Sequence, residues 1–299
     1  MVGPILEVVD VHFAYPDGTQ ALAGMSLTIE RGSKVVFLGP NGAGKTTLFL
    51  QLNGILRPSQ GVVRFDGNDL RYDRRSLMEL RKNVGIVFQD PDSQIFSASV
   101  LQDISFGPFN LGMSEEEVRG RVQGALAAVG IESIADRPTH FLSLGQKKRV
   151  AIAGVLAMEP QVIIFDEPTS SLDPKTAKQL LILLDDISRD GKTVVISTHD
   201  VDIAYSWADR VYVLESGRVA DAGTPQEIFL DEAMLERVDL TQPWIVDVWR
   251  ELRDNGYLPP NALLPRTKSA LLALIRSRLC HSFRITDLVS ERAAINERG

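Results

Sequence analysis

The 299-residue chain carries 39 acidic side chains against 32 lysines and arginines, a formal net charge of −7, which makes it a poor clamp for bare nucleic acid, where phosphate neutralisation calls for a basic surface. A hydrophobic content of 44% supports an ordinary globular core, and the length fits one large domain with an appendage, or two domains. The lone cysteine, Cys280, excludes an internal disulfide and fits a reducing compartment; the start MVGPILEVVD lacks the pattern of a secretory leader, and no stretch approaches the roughly 20 apolar residues needed to cross a bilayer.

In chain order, residues 5–15, 25–30 and 62–65 read as short strands bounded by the turns Pro16-Asp17-Gly18 and Asp66-Gly67, which predicts an antiparallel β layer. Val35-Val36-Phe37-Leu38 is an apolar run fit for a buried strand. The segment after it reads Gly39-Pro40-Asn41-Gly42-Ala43-Gly44-Lys45-Thr46-Thr47 and leads into a helix ending near Gly54. Glycine, four residues, then Gly-Lys-Thr makes a loop whose N–H groups turn inward around phosphates, with a helix N-terminus facing the anion. In that pattern Lys45 reaches the β- and γ-phosphates and the Thr46 hydroxyl binds Mg²⁺, so the chain binds a nucleoside triphosphate.

The later apolar runs at 85–88, 162–165 and 194–197 are hydrophobic on both faces, as strands of a covered parallel sheet are. Residues about 95–158 read as mainly helical, with an acidic start at Ser114–Glu117. Within them Leu142-Ser143-Leu144-Gly145-Gln146 opens a helix running to about Met158, and Ser143 and Gln146 have capping-box spacing. That start is either a well-capped helix or a second anion site built from Ser143, the Gly145 N–H and the helix dipole. Residues 211–219 predict a hairpin turning at Ser216-Gly217. After about residue 235 prolines punctuate short helices, and Leu271, Leu272, Ile275 and Leu279 form a helical stripe that either folds back or serves a dimer contact.

Val162-Ile163-Ile164-Phe165-Asp166-Glu167 is a hydrophobic strand ending in two carboxylates, and adjacent residues at a strand end point different ways. Asp166 can serve the Mg²⁺ shell while Glu167 faces an attacking water, both at the carboxyl edge of the sheet, where α/β ligands bind. The phosphate loop, then Gln89, LSLGQ, VIIFDE, Ser171-Leu172-Asp173 and His199 within STHD follow in an order and spacing that resembles the ATP-binding-cassette ATPases over roughly residues 5–230. The resemblance implies an α/β fold: a three-layer P-loop ATPase core with an antiparallel β subdomain and a helical subdomain (about 90–160), forming a cassette domain over 1–235. Residues 236–299 then make a small, mainly helical C-terminal extension and possible dimer contact.

The same resemblance implies roles. Gln89 touches Mg²⁺ or the attacking water; His199 holds the γ-phosphate and Glu167; Asp173 communicates across a dimer; Tyr15 stacks on adenine, with Phe13 as the competing candidate. Ser143, Gly145 and Gln146 complete the site from the opposite subunit, so two chains sandwich two ATP molecules, with ATP and Mg²⁺ as cofactors. The family's signature is usually LSGGQ, and Leu144 replaces its first glycine, so that side chain must point away from nucleotide.

Gln89–Phe96, Phe106–Gly112 and SLGQKKRVAIAGVLAMEP resemble the ATPase subunits of energy-coupling-factor importers, most closely the cobalt type. That implies integral membrane coupling and substrate-binding subunits as partners, a homodimer or heterodimer of ATPase chains, and a place on the cytoplasmic face of a bacterial or archaeal membrane. Nickel, a vitamin, an exporter role and a soluble ATPase stay open. Ile95, Phe96, Val100 and Phe106 either form a groove for a partner's helix or fill the helical subdomain's core. The four histidines show no metal-ligand spacing, and Cys280-His281 is an adjacent pair rather than a chelating motif.

Overall fold

The computed structural model of the chain describes residues 3–277. Leu279 and the Cys280-His281 pair therefore lie outside the described residues. The chain opens with β1 (Leu6–Ala14) and β2 (Gln20–Ile29), then β3 (Lys34–Leu38), the glycine loop and α1 (Lys45–Leu52). Next come β4 (Gln60–Phe65), β5 (Asn68–Asp69), α2 (Arg74–Asn83) and β6 (Val84–Val87). Three helices follow, α3 (Val100–Asn110), α4 (Glu115–Val129) and α5 (Leu144–Leu156). The remainder runs β7 (Val162–Phe165), α6 (Pro174–Arg189), β8 (Thr193–Ser197), α7 (Val201–Trp207), β9 (Arg210–Glu215), β10 (Arg218–Gly223), α8 (Pro225–Leu230), α9 (Glu232–Arg237) and α10 (Trp244–Asp254).

Two sheets carry the architecture. One is antiparallel with order β2-β1-β4-β5; the other has order β10-β9-β3-β8-β7-β6. In the second sheet β9-β3-β8-β7-β6 pair in parallel and only the β9–β10 hairpin is antiparallel. The near-unbroken apolar runs of β3, β7 and β8 follow from this, because a central parallel strand is covered on both faces. Val35 and Phe37 of β3 join Leu48, Phe49 and Leu52 of α1 and Leu6, Val8, Leu22 and Met25 of the antiparallel sheet in one buried core. Phe37 is its hub, edge-on to Phe49 with centroids 5.6 Å apart and stacked on Tyr212 at 5.2 Å. Each such fully buried aromatic contributes about 1.5–3 kcal/mol through lost apolar exposure.

The helical insertion α3–α5 is built from local signals. Ser114 and Glu117 form a reciprocal capping box at α4, whose first turn is acidic, and Gly130 ends that helix at φ 66°. Val118, Val122, Ala125, Leu126 and Val129 supply its buried face.

The described chain divides into two units. One comprises residues up to Asp200 with Ala208–Thr224; the other comprises Val201–Trp207 with the chain from Pro225 onward. The second unit thus begins before the break expected near residue 235 and also takes in α7. Tyr205 of α7 explains this: it is fully buried, meets Phe229 edge-on at 5.9 Å and donates its hydroxyl proton to Pro265 O at 3.1 Å. Burial pushes the Tyr205 phenol up to about 12, against the opposing Arg266 guanidinium. Of the stripe expected over 271–279, Leu271 is buried while Leu272 is exposed.

Candidate active site

The glycine loop links β3 to α1 through backbone that side chains would obstruct. Gly39 lies at φ 147°, and a Cβ there would run into the Leu214 carbonyl. Gly44, the residue before α1, lies at φ 101°, where a Cβ would stand 2.6 Å from Ala21 O. Lys45 is buried, and its Nζ donates to Gly39 O at 2.6 Å and Pro40 O at 3.0 Å. Burial pushes the Lys45 ammonium below its ordinary range, partly offset by the Glu167 and Asp166 carboxylates. A phosphate presented to the loop competes for those same ammonium hydrogens and supplies the anion that the buried charge lacks.

Asp166 and Glu167 stand where β7 ends, and β8, beside β7 in the sheet, brings Ser197 and His199 against them. Thr46 Oγ1 donates to Asp166 Oδ2 at 2.6 Å. Ser197 Oγ donates to Asp166 Oδ1 at 2.6 Å and accepts from Glu167 N at 2.8 Å. One buried hydroxyl thus orients the first carboxylate and anchors the backbone of the second. Glu167 has φ 47°, uncommon for a residue with a side chain, and its carboxylate oxygen Oε2 lies 3.0 Å from His199 Nδ1. The Glu167 side chain is 11% exposed and that of His199 74%, so the pair joins a sheltered carboxylate to an accessible imidazole.

A pocket of about 220 Å³ collects Tyr15, Thr19, Gln20, Ala21, Asn41, Gly42, Gly44, Lys45, Thr46, Thr47, Gln89, Asp166 and Glu167. The structure therefore brings the loop, Gln89 and both carboxylates together. Tyr15 lines the pocket and shares a 3.1 Å hydroxyl contact with Thr47 Oγ1, whereas Phe13 packs against the core. Ala43 is buried, its N–H on Pro40 O and its carbonyl on Gly217 N, so it shapes the loop from behind. Sequence reasoning missed Thr19, just before β2, and Gln20 and Ala21 at its start, which reach the pocket, and Ser197, whose only local signal is a small polar residue ending a buried strand.

Ser143, Gly145, Gln146 and Asp173 do not line this pocket. Ser143 N donates to Gln146 Oε1 at 3.0 Å, and Gln146 N donates to Ser143 Oγ at 3.4 Å, completing the capping box of α5. Asp173 caps α6, accepting from Lys175 N at 3.0 Å and Thr176 N at 3.1 Å; the Thr176 hydroxyl and those amides hold its carboxyl below the usual range. Leu144 stands 37% exposed beside Ser143.

Thr46, Asp166 and Gln89 bring a hydroxyl, a carboxylate and an amide to the lining of one pocket. Hard oxygen donors in small number, leaving positions for phosphate oxygens and water, suit Mg²⁺.

The chain matches the family model for ABC transporters over residues 22–170. It is 47% identical over 284 residues to the energy-coupling factor transporter ATP-binding protein EcfA2 of Methanospirillum hungatei, covering 95% of this chain and 71% of that protein. The chain belongs to the ABC transporter family of ATPases. This cassette is also 49% identical to EcfA of Methanocaldococcus jannaschii over 255 residues, 85% of this chain and 91% of that one. Among solved structures, cbiO1 from Clostridium perfringens, part of the ABC transporter complex cbiONQ, is similar at TM-score 0.71 and 49% identity, covering 79% of the cassette and 95% of cbiO1. A dimeric ATP-binding cassette in a post-hydrolysis state with ADP and Pi is similar at TM-score 0.68 and 32% identity, covering 74% and 98%. The α/β P-loop architecture expected from the sequence is that of these relatives.

Proposed function

We propose that this cassette is the ATP-hydrolysing subunit of an energy-coupling-factor importer, working at the cytoplasmic face of a membrane and powering uptake through separate membrane proteins. The observation that carries the catalytic half is the 3.0 Å contact of His199 with Glu167, which itself lines the pocket that holds Lys45 and Thr46. Phosphoryl transfer needs positioning and charge neutralisation more than covalent chemistry. Lys45 and the loop amides spread charge on the γ-phosphate, Tyr15 stacks on the base, and Glu167 takes a proton from the attacking water. His199 and Ser197 hold Glu167 in place, and Gln89 closes the pocket near that water. Thr46, Asp166 and Gln89 would hold Mg²⁺, which supplies charge neutralisation at the phosphates.

Ser143, Gly145 and Gln146 sit at the α5 N-terminus away from the pocket of their own chain, as groups do that complete a neighbour's site. Two cassettes, identical or paralogous, then enclose two ATP molecules, with Asp173 at the seam. ATP thereby biases a two-state interface, and its cleavage reopens it. The relatives' names support the energy-coupling-factor assignment, and among the described residues no helix is long and apolar enough to cross a membrane.

The docking half rests on a second, larger groove of about 530 Å³ that includes Met78, Phe96, Phe106, Leu111 and Met158. Phe96 and Phe106 meet edge-on at 4.6 Å and stay 66% and 48% exposed, an apolar pair fit for a helix of the membrane subunit. Val100, grouped with them from sequence, is instead fully buried and belongs to the helical core. Cobalt is the favoured solute, on the likeness to cobalt-type subunits; nickel or a vitamin is the alternative, because solute selection falls to the membrane subunits. Purification of the tagged cassette from native membranes in mild detergent tests this: small integral membrane proteins co-purify, and the recovered complex in proteoliposomes takes up Co²⁺ in preference to Ni²⁺. Recovery of ribosomal or DNA-repair components instead refutes the transport reading.

A further inference from the structure

Lys148 is 4% exposed on α5, and none of the steps above uses it. Its ammonium meets backbone rather than a carboxylate. Nζ donates to Pro168 O at 2.8 Å and Ser170 O at 2.9 Å, with Ser170 Oγ at 3.4 Å and Glu167 O at 3.5 Å. The adjacent Lys147 pairs with Asp92 at 2.6 Å at the exposed surface, where such pairs contribute little. Burying a charge with no anionic partner in contact is costly, and desolvation lowers the Lys148 ammonium to about 8 despite the opposing Glu167 and Asp90 carboxylates. A chain that needed only to fill this volume would place a methionine there. The turn that Lys148 grips runs from Glu167, at φ 47°, to Ser171, at φ 60°. Backbone in that region persists only where its surroundings over-determine it. Ser170 adds a second tie, its N and Oγ donating to Glu167 O at 3.1 and 2.8 Å.

We infer that Lys148 is a positioning residue for hydrolysis, clamping the Glu167–Ser170 turn to the helix that Ser143 caps and so keeping the Glu167 carboxylate beside His199. The inference rests on Glu167 being the base. Because α5 is a single 13-residue helix, a shift of its N-terminus passes through Lys148 to Glu167 of the same chain.

The test compares Lys148→Met, Lys148→Gln and Glu167→Gln with the wild type by phosphate release and by binding of a non-hydrolysable ATP analogue. Lys148→Met should lower kcat about tenfold or more while analogue affinity stays within about twofold, and Lys148→Gln, whose amide still donates two hydrogens, should return kcat to within about threefold of wild type. Wild-type kcat in Lys148→Met, equal loss in the Met and Gln variants, or a loss carried by analogue affinity overturns the inference. Should Lys148→Met not fold, Ser170→Ala decides: a kcat loss of about threefold at unchanged affinity supports the clamp and wild-type kcat refutes it. Full turnover in Glu167→Gln removes the base and the clamp together; a dead Glu167→Gln beside a fully active Lys148→Met removes the clamp alone.

Discussion

Ser197→Ala probes the junction on which the catalytic reading depends. The fully buried hydroxyl makes two hydrogen bonds, to Asp166 Oδ1 at 2.6 Å and from Glu167 N at 2.8 Å. The first is charge-assisted and is worth about 1.5–3 kcal/mol; losing the second leaves a buried amide unsatisfied at about 1–3 kcal/mol. The two share one oxygen and do not add fully, so the expected destabilisation is about 2–4 kcal/mol. The kinetic effect follows from the same atoms. Glu167 sits in a left-handed conformation at φ 47°, and without the hydroxyl its N–H has no tether to β8. Misplacement approaching 1 Å costs about 10²-fold, so kcat should fall about 10–100-fold. Urea unfolding followed by circular dichroism gives the stability, and phosphate release at saturating ATP gives kcat. A variant within about 0.5 kcal/mol of wild type that also turns over within about twofold would refute the claim that this hydroxyl couples the two carboxylates.

Glu167→Gln should lower turnover by about 10²–10⁴ through loss of general-base help while retaining ATP binding; wild-type turnover would show that another group activates the water. Phe96→Glu together with Phe106→Glu should leave basal ATPase activity and stability intact, because both rings are exposed, yet abolish co-purification of membrane proteins; undiminished recovery would remove the groove from the docking account. Lys148 also imposes a pH signature. Its folded-state value of about 8 lies below the ordinary 10.5, so between these values the unfolded chain holds the proton that the folded chain has released. Wild-type stability must therefore rise relative to Lys148→Met as pH climbs from about 8 toward 10.5. Parallel stability curves for the two proteins across that window would contradict the buried ammonium.

The sequence legibly encoded whatever rests on near neighbours. Gly39, Gly44, Lys45 and Thr46 lie in one short segment whose spacing alone demands an anion-binding loop, and the apolar runs of β3, β7 and β8 announce a doubly covered sheet. The cap of α5 is likewise a three-residue relationship, which the structure reproduces as Ser143–Gln146, and the acidic start read at Ser114–Glu117 turns out to hold the capping box of α4. The choice between Tyr15 and Phe13 was not local: β1 changes register between Phe13 and Ala14, so alternation along the strand does not carry through to Tyr15. Whether Val100 joins the groove or the helical core was left open by the sequence for a related reason. An apolar residue at the start of a helix looks the same whether its neighbours in space are solvent or, as here, a packed helical core.

From its residues alone, then, this chain declared a phosphate loop, a pair of strand-end carboxylates and the family whose motifs come in that order. Only the folded arrangement decided what holds those carboxylates. Ser197 reaches Asp166 and Glu167 because β8 lies beside β7, and Lys148 reaches the turn after Glu167 because α5 packs where it does. Partners some 20 to 31 residues apart meet through strand order and helix packing, and no periodicity in the intervening sequence records which side chain will arrive.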